Sequence, residues 1–544
     1  MTRMARRTEL APAGRSPAGA PDTTYLSAAD AADKYAHKYV IAIAVTLAAV
    51  LELIDTSIVN VAVPHMMGNL GATLDEISWV STGYIIANVI VIPLSSWLSA
   101  YFGRKRYLTG SIILFVAASF FCGAATSLGG LVFWRVVQGI GGGGLLSTAQ
   151  ATLFEAFPPE EMGIGQAMFG VGVMVGPTIG PTLGGYIVDN FNWPWIFYIN
   201  IPLGIFAAIM VWTYVHDAEH QERAESVDWQ GIVLLAITVG ALQWMLERGE
   251  RYDWFESRFV TGLAITTAVS FVLLIWREMT AKEPVINFRV LESRQLTAGV
   301  VIAAVLGFAL FGSIFVLPVF LQTLHGFTAN QTGMVILPGA IASAMTMALM
   351  GKHVRKMDAR LAVAFGAILF FVSMYQMSVL TLDSGKDDLF WPLIIRGVGL
   401  GFIFVPLTGA AMAELTVSEL SQGTAMFNLT RQLGGSLGIA IMATSLSRLT
   451  VQAKARLAEH VAINDPVALG RIEGITRAMV ARGADLGTAK RQALFVIDRQ
   501  LQAQASVLAF SKIYIWSGLT LLCAVPLLLL FRTGKSRAMT GGAH

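Results

Sequence analysis

Fourteen stretches of about twenty mostly apolar residues run through this 544-residue chain, and very few architectures can house them. They lie near 39–63, 78–100, 107–126, 130–154, 163–188, 196–216, 229–247, 259–277, 295–323, 331–350, 361–380, 389–413, 422–446 and 509–532. In lipid every backbone donor and acceptor must be paired within the protein, which leaves helices and closed barrels. The runs are far too long for barrel strands, so the predicted fold is all-α and polytopic. Composition agrees: 55% of residues are hydrophobic and 13% charged, against roughly 25% charged in an ordinary soluble protein. A net charge of +3, scattered along the chain, gives no sign of a nucleic-acid partner. Cys122 and Cys523 each sit in an apolar run and read as buried small hydrophobes. Residues 1–38 hold Arg3, Arg6, Arg7 and Arg15 but no apolar signal core, so the first span is expected to target the chain to the bilayer.

Orientation follows from basic residues in short loops. One set of loops carries Arg104, Lys105 and Arg106, then Arg223, Lys282 and Arg289, then Lys352, Arg355, Lys356 and Arg360. The alternate loops hold one Lys and no Arg, apart from the hairpin with Arg248, Arg251 and Arg258. Both termini are therefore expected in the cytoplasm. Residues 447–508 form a long outer excursion with helix-like apolar spacing, broken at Asn464-Asp465-Pro466. It reads either as a solvated helical cap or as a docking surface.

An offset of 255 aligns Gly71 with Gly326, Thr73 with Thr328 and Glu76 with Gln331. Each Thr-x-x-Glu/Gln is a capping box expected to open a span. A similar shift pairs Arg135 with Arg396. The implied layout is two six-helix halves, 39–216 and 295–532, an inserted helix pair at 229–277, and cytoplasmic tails at 1–38 and 533–544. Repeated halves place a substrate site between them near the midplane, reached by rocking, which means transport.

Glu52 and Asp55 lie in the first span at a spacing that puts both carboxylates on one helix face. Charges within a span cost about 2.5–3.5 kcal/mol and usually face a pathway. Proton carriage or cation binding is one reading; a structural ion pair with a neighbouring Arg is the other. Arg135 is placed to pair with Asp55 in one protonation state and release it in the other, or to bond nearby backbone. The fifth span carries Gly172, Gly176, Gly180 and Gly184 at four-residue intervals, beside Pro177, Pro181 and Gly185. Small residues at that spacing permit close helix contact, and proline permits bending. Gly434, Gly435 and Gly438 read similarly. Asn60, Gln138, Gln322, Asn428 and Arg431 are further polar residues expected along a substrate pathway. The run Gly141–Gly144 lacks the Lys of a phosphate loop, and no Walker A, His-Glu-x-x-His or Cys-x-x-Cys pattern occurs. No cofactor, metal site or enzymatic chemistry is expected.

With these residues in hand, the chain resembles the major facilitator superfamily, in particular its fourteen-span drug:proton antiporters of the EmrB/QacA type. The likeness rests on Leu53 through Pro64, on Ser96 through Arg106 with its turn Gly103-Arg104-Lys105-Arg106, and on Arg135 through Gly139. Further matches are Gly176-Pro177-x-x-Gly180-Pro181-x-x-Gly184-Gly185, Glu247-Arg248-Gly249 with Asp253-Trp254-Phe255, and Asn428-x-x-Arg431-Gln432-x-Gly434-Gly435. The long outer excursion places it on the EmrB side of that group. The resemblance implies a major facilitator fold and proton-driven export of amphipathic toxic compounds from the bacterial inner membrane. It also implies a periplasmic membrane-fusion adaptor and an outer-membrane channel as partners. In that frame Asp55, Glu52 and Arg135 would couple protons, and the span-five motif would gate. Alternatives are a dedicated exporter of one metabolite, lipid or siderophore, and a non-transporting receptor or scaffold. Two departures stand out: in the loop motif Ala100 replaces the usual Asp and Ser96 the usual Gly, so a salt bridge through that Asp is not expected, and Glu52 is an additional acid beside Asp55.

Overall fold

The computed structural model describes residues 37–158, 160–216, 228–281, 284–459 and 466–531. The two tails, Arg223, Lys282 and the break at Asn464-Asp465 lie outside the described residues.

The first half comprises α1 (Lys38–Leu70), the single turn α2 (Leu74–Ile77), α3 (Trp79–Phe102), α4 (Arg104–Gly123), α5 (Leu128–Gly142), α6 (Leu145–Ala156), α7 (Met162–Asn190), the short α8 (Trp195–Tyr198) and α9 (Asn200–Tyr214). The inserted pair is α10 (Trp229–Arg248) and α11 (Arg258–Thr280). The second half comprises α12 (Arg294–Leu324), α13 (Ala329–His353), α14 (Ala359–Ser378), α15 (Lys386–Met412), α16 (Val417–Glu459), α17 (Pro466–Ala481) and α18 (Leu486–Cys523). Among the described residues 12 helices are long and apolar enough to cross a membrane. The other two expected spans coincide with α5–α6 and α16, which fall outside that set.

The repeat has a physical counterpart. Gly71 and Gly326 both adopt left-handed backbone, at φ 61° and 67°, where the chain leaves α1 and α12. A Cβ is strained in that region, which accounts for glycine at both. Thr328 and Gln331 close a reciprocal capping box on α13. The Thr73–Glu76 box also closes, but it opens only the one-turn α2, and α3 begins after Ser78. In each half the first helix packs along the fifth: α1 on α7, and α12 on α16.

Four sequence expectations need correcting. The segment 130–154 is not one helix: it breaks at Gly143-Gly144, where the backbone lies against Asn88 and Val91 of α3 and Tyr107 of α4. The last span leaves α-geometry at Cys523 and finishes as a 3-10 turn, Val525–Leu530, because Pro526 supplies no amide donor. The excursion 447–508 is largely a continuation of spans. The 43-residue α16 runs on to Glu459, α18 starts at Leu486, and Lys454 pairs with Asp498 between them at 2.8 Å. At about 1.5 Å per residue α16 is about 65 Å long, twice the bilayer core of about 30 Å. Cys122 is buried, whereas Cys523 is exposed, against expectation.

Candidate functional site

Asp55 is fully buried and stands at the meeting point of four helices of the first half. Its Oδ2 accepts from Arg135 Nη1 of α5 at 2.5 Å. Its Oδ1 accepts from Gln138 Nε2 of α5 and Asn200 Nδ2 of α9, each at 2.9 Å. Ser119 Oγ of α4 accepts from both amides and donates to the Phe197 carbonyl. Every partner of Asp55 is a donor, an arrangement that satisfies an ionised carboxylate.

Arg135 is held on all sides. Its Nε donates to the Val80 carbonyl at 3.0 Å, Nη1 also donates to Gln138 Oε1 at 2.7 Å, and Cζ lies 4.1 Å from the Tyr84 ring centre. In this structure Arg135 both pairs with Asp55 and bonds backbone. A buried pair of this kind needs its remaining donors and acceptors satisfied, and here α3, α4, α5 and α9 supply them.

Glu52, one turn earlier on α1, belongs to a different network. Its Oε1 accepts from Asn88 Nδ2 of α3 at 2.9 Å, while Oε2 is buried without a hydrogen-bond partner. From the other half, Arg431 of α16 is within electrostatic reach of Glu52. Arg431 donates to Asn428 Oδ1 at 3.2 Å, and Asn428 Nδ2 donates to Gln150 Oε1 of α6 at 2.7 Å. That last bond crosses between the halves.

The glycine ridge of α7 faces the acid-bearing helix. A Cβ on Gly176 would stand 2.8 Å from the Leu53 Cβ, one on Gly180 2.8 Å from the Ser57 Cβ, and one on Gly184 2.8 Å from Ile58 Cγ1. Gly172 abuts Thr46 and Val50, whereas Gly185 faces Asn330 of the second half. Pro177 and Pro181 are carried inside one unbroken helix. The other flank of α7 lies along α13, with Gly163 against Gly351 and Gly333 against Thr182. The span-five motif thus joins Asp55's helix to the opposite half.

At the end that carries the basic turn, Gly103 takes φ 85°, Arg104 is buried and ion-paired with Glu155 of α6, Lys105 lies over Trp212, and Arg106 is exposed. Here the halves press together: α6 is buried from Leu145 through Phe154. Toward the opposite end Asn60 of α1 and Gln322 of α12 are exposed.

Of the expected pathway residues, only Asn60 and Gln322 are exposed; Asn428 and Arg431 are buried between halves. Gln138 is a correction: it is fully buried and serves Asp55. Arg396 is buried in α15, with Nη1 unpartnered. Sequence reasoning missed Asn200, Asn88, Ser119 and Gln150. Asn200, Asn88 and Gln150 are amides in apolar runs, a weaker signal than that of an acid; Ser119 gave none.

Comparison with known proteins gives this arrangement a family. A family model described as Major Facilitator Superfamily matches residues 45–439. The chain is 33% identical over 477 residues to the multidrug export protein EmrB of Escherichia coli K12, covering 87% of this chain and 91% of that one. It is 30% identical over 503 residues to the fatty acid resistance protein FarB of Neisseria gonorrhoeae, covering 92% and 96%. The crystal structure of the human organic anion transporter MFSD10 superposes at a TM-score of 0.57 with 12% identity, over 89% of this chain and 99% of that one, which speaks for the fold. The chain belongs to the major facilitator superfamily.

Proposed function

We propose that the protein is a multidrug exporter of the bacterial inner membrane that drives amphipathic compounds outward against inward proton flow. The single observation that carries the coupling is the fully buried Asp55–Arg135 pair, made between two helices of one half. Protonating Asp55 removes the charge that Arg135 is paired with. Arg135 keeps the Val80 carbonyl and the Tyr84 face, so α1 is freed while α5 stays anchored. Leu53 and Ser57 flank Asp55 and sit in the α7 ridge, so movement of α1 is passed to α7 and from there to α13. Glu52 acts as auxiliary acid. The driving force is ample, since a proton crossing 100 mV supplies about 2.3 kcal/mol.

In this reading α5–α6 and α16 also span, giving fourteen crossings with both termini cytoplasmic, and the arrangement seen is sealed at its cytoplasmic end. The protruding ends of α16 and α18, with α17, are read as the seat for a membrane-fusion adaptor leading to an outer-membrane channel. Similarity to proteins named for multidrug export and for fatty acid resistance supports amphipathic cargo. Antiport requires drug and proton to bind alternately. Adding drug to the purified protein in weak buffer should therefore release protons, and Asp55→Asn should silence that release. Proton release unchanged in the variant defeats the assignment.

A further inference from the structure

A cleft of about 440 Å³ opens between the first turns of α13 and α15, far from Asp55 and wholly within the second half. Its origin is a tight crossing below it. A Cβ on Gly339 would stand 2.6 Å from the Leu393 carbonyl oxygen, and one on Gly397 3.0 Å from the Ser343 amide nitrogen. The cleft lies between the same two helices, toward their N-terminal ends. Its lining further along the two helices is Met334, Val335, Pro338 and Phe390; their first turns carry Asn330, Gln331, Lys386 and Asp387, with Phe327 beside them. The volume lies within the roughly 300–1,000 Å³ range of small-ligand sites.

Polarity is sorted along the helices, as an amphiphile standing upright in one leaflet requires. Lys386 and Asp387 are exposed and make no hydrogen bond or ion pair among the described residues. Asn330 Oδ1 in the first turn of α13 is buried with no partner. Adjacent cation and anion match a head that carries a phosphate and an ammonium together. A lone carboxylate or an anionic head would satisfy Lys386 and be repelled by Asp387.

We propose that this cleft binds a zwitterionic phospholipid with a primary ammonium head. Its phosphate accepts from Lys386 Nζ, its ammonium donates to Asp387, and an acyl chain lies along Met334 and Pro338. Gly185 of α7 comes up to Asn330 at the same end, so the bound lipid borders the seam between halves.

The test is native mass spectrometry of the detergent-purified full chain, titrated with phosphatidylethanolamine, phosphatidylglycerol and a long-chain fatty acid. Phosphatidylethanolamine should be retained about five- to tenfold better than phosphatidylglycerol, in line with one charge-assisted contact. Lys386→Glu should erase that preference. Met334→Trp, which fills the cleft, should lower retention by a similar factor, while Ile265→Trp on the exposed face of α11 should leave it unchanged. Equal retention of the two phospholipids, preference for the fatty acid, or retention indifferent to both Lys386→Glu and Met334→Trp would overturn the proposal.

Discussion

Arg135 and Arg396 occupy related places in the two halves, and their surroundings differ sharply. Arg135 has a buried carboxylate, a backbone carbonyl, an amide and an aromatic face. Arg396 is buried with Nη1 unpartnered, and the residue 255 positions after Asp55 is Leu310. Packing, by contrast, is repeated: the glycines of α7 admit α1, and Gly307, Gly434 and Gly438 bring α12 and α16 into backbone contact. The scaffold is symmetric and the titratable chemistry is not. The buried acid–arginine pair lies in one half, and the corresponding arginine of the other half has no such carboxylate among the described residues.

The comparison breaks most visibly at the arginines themselves. Arg135→Met leaves Asp55 buried without its countercharge and should cost about 3–5 kcal/mol, read as a lowered thermal midpoint in detergent. Arg396→Met removes a charge with no acid partner among the described residues and should change stability by less than about 1 kcal/mol, or raise it. Similar losses at the two sites would erase the asymmetry.

Next in size is the ridge. Gly180→Val drives a side chain into Ser57 and should cost about 1–3 kcal/mol while slowing transport, because α1 and α7 can no longer close up. Gly434→Val should destabilise comparably, since it meets the Ala304 backbone. A transport defect larger than the stability loss is expected only on the α7 side.

Smaller still is the bond between halves. Asn428→Leu removes the hydrogen bond to Gln150 and should shift the balance of closed and open forms at the basic end by about 1 kcal/mol, about fivefold. Spin-label distances across that end should lengthen.

The smallest effect lies outside the membrane. Amides of Gly487 and Thr488 donate to Asp485, and hydrogen bonding from Thr488 holds this carboxyl below its ordinary range. Its folded value is depressed, so the stabilisation is present above the ordinary Asp range and is lost as pH falls through the folded value. Protection factors at the start of α18, taken relative to the intrinsic exchange rate at each pH, should therefore fall in acid, and Asp485→Ala should remove that pH dependence.

Much of the architecture was legible because hydrophobic runs of span length have one helical solution in lipid. Glu52, Asp55 and Arg135 stood out because charge in such runs is costly. Gln138 was misplaced because an amide in a span looks the same whether it lines a path or serves a buried acid. The break at Gly143-Gly144 depends on neighbours that no local pattern encodes, whereas the helical continuation of α16 follows the apolar spacing read after residue 447. Asn200 was readable only by the weaker rule that a polar amide in a span needs a partner, and Ser119 was not readable, since a serine can bond its own helix backbone.

The central claim is that Asp55 carries the coupling proton. Its most direct test is efflux of a fluorescent cationic dye in proteoliposomes under an imposed pH gradient, comparing the native chain with Asp55→Asn. Gradient-driven flux in the native protein, abolished by the substitution while dye binding persists, is the predicted result. Gradient-driven flux that survives in Asp55→Asn would contradict the account.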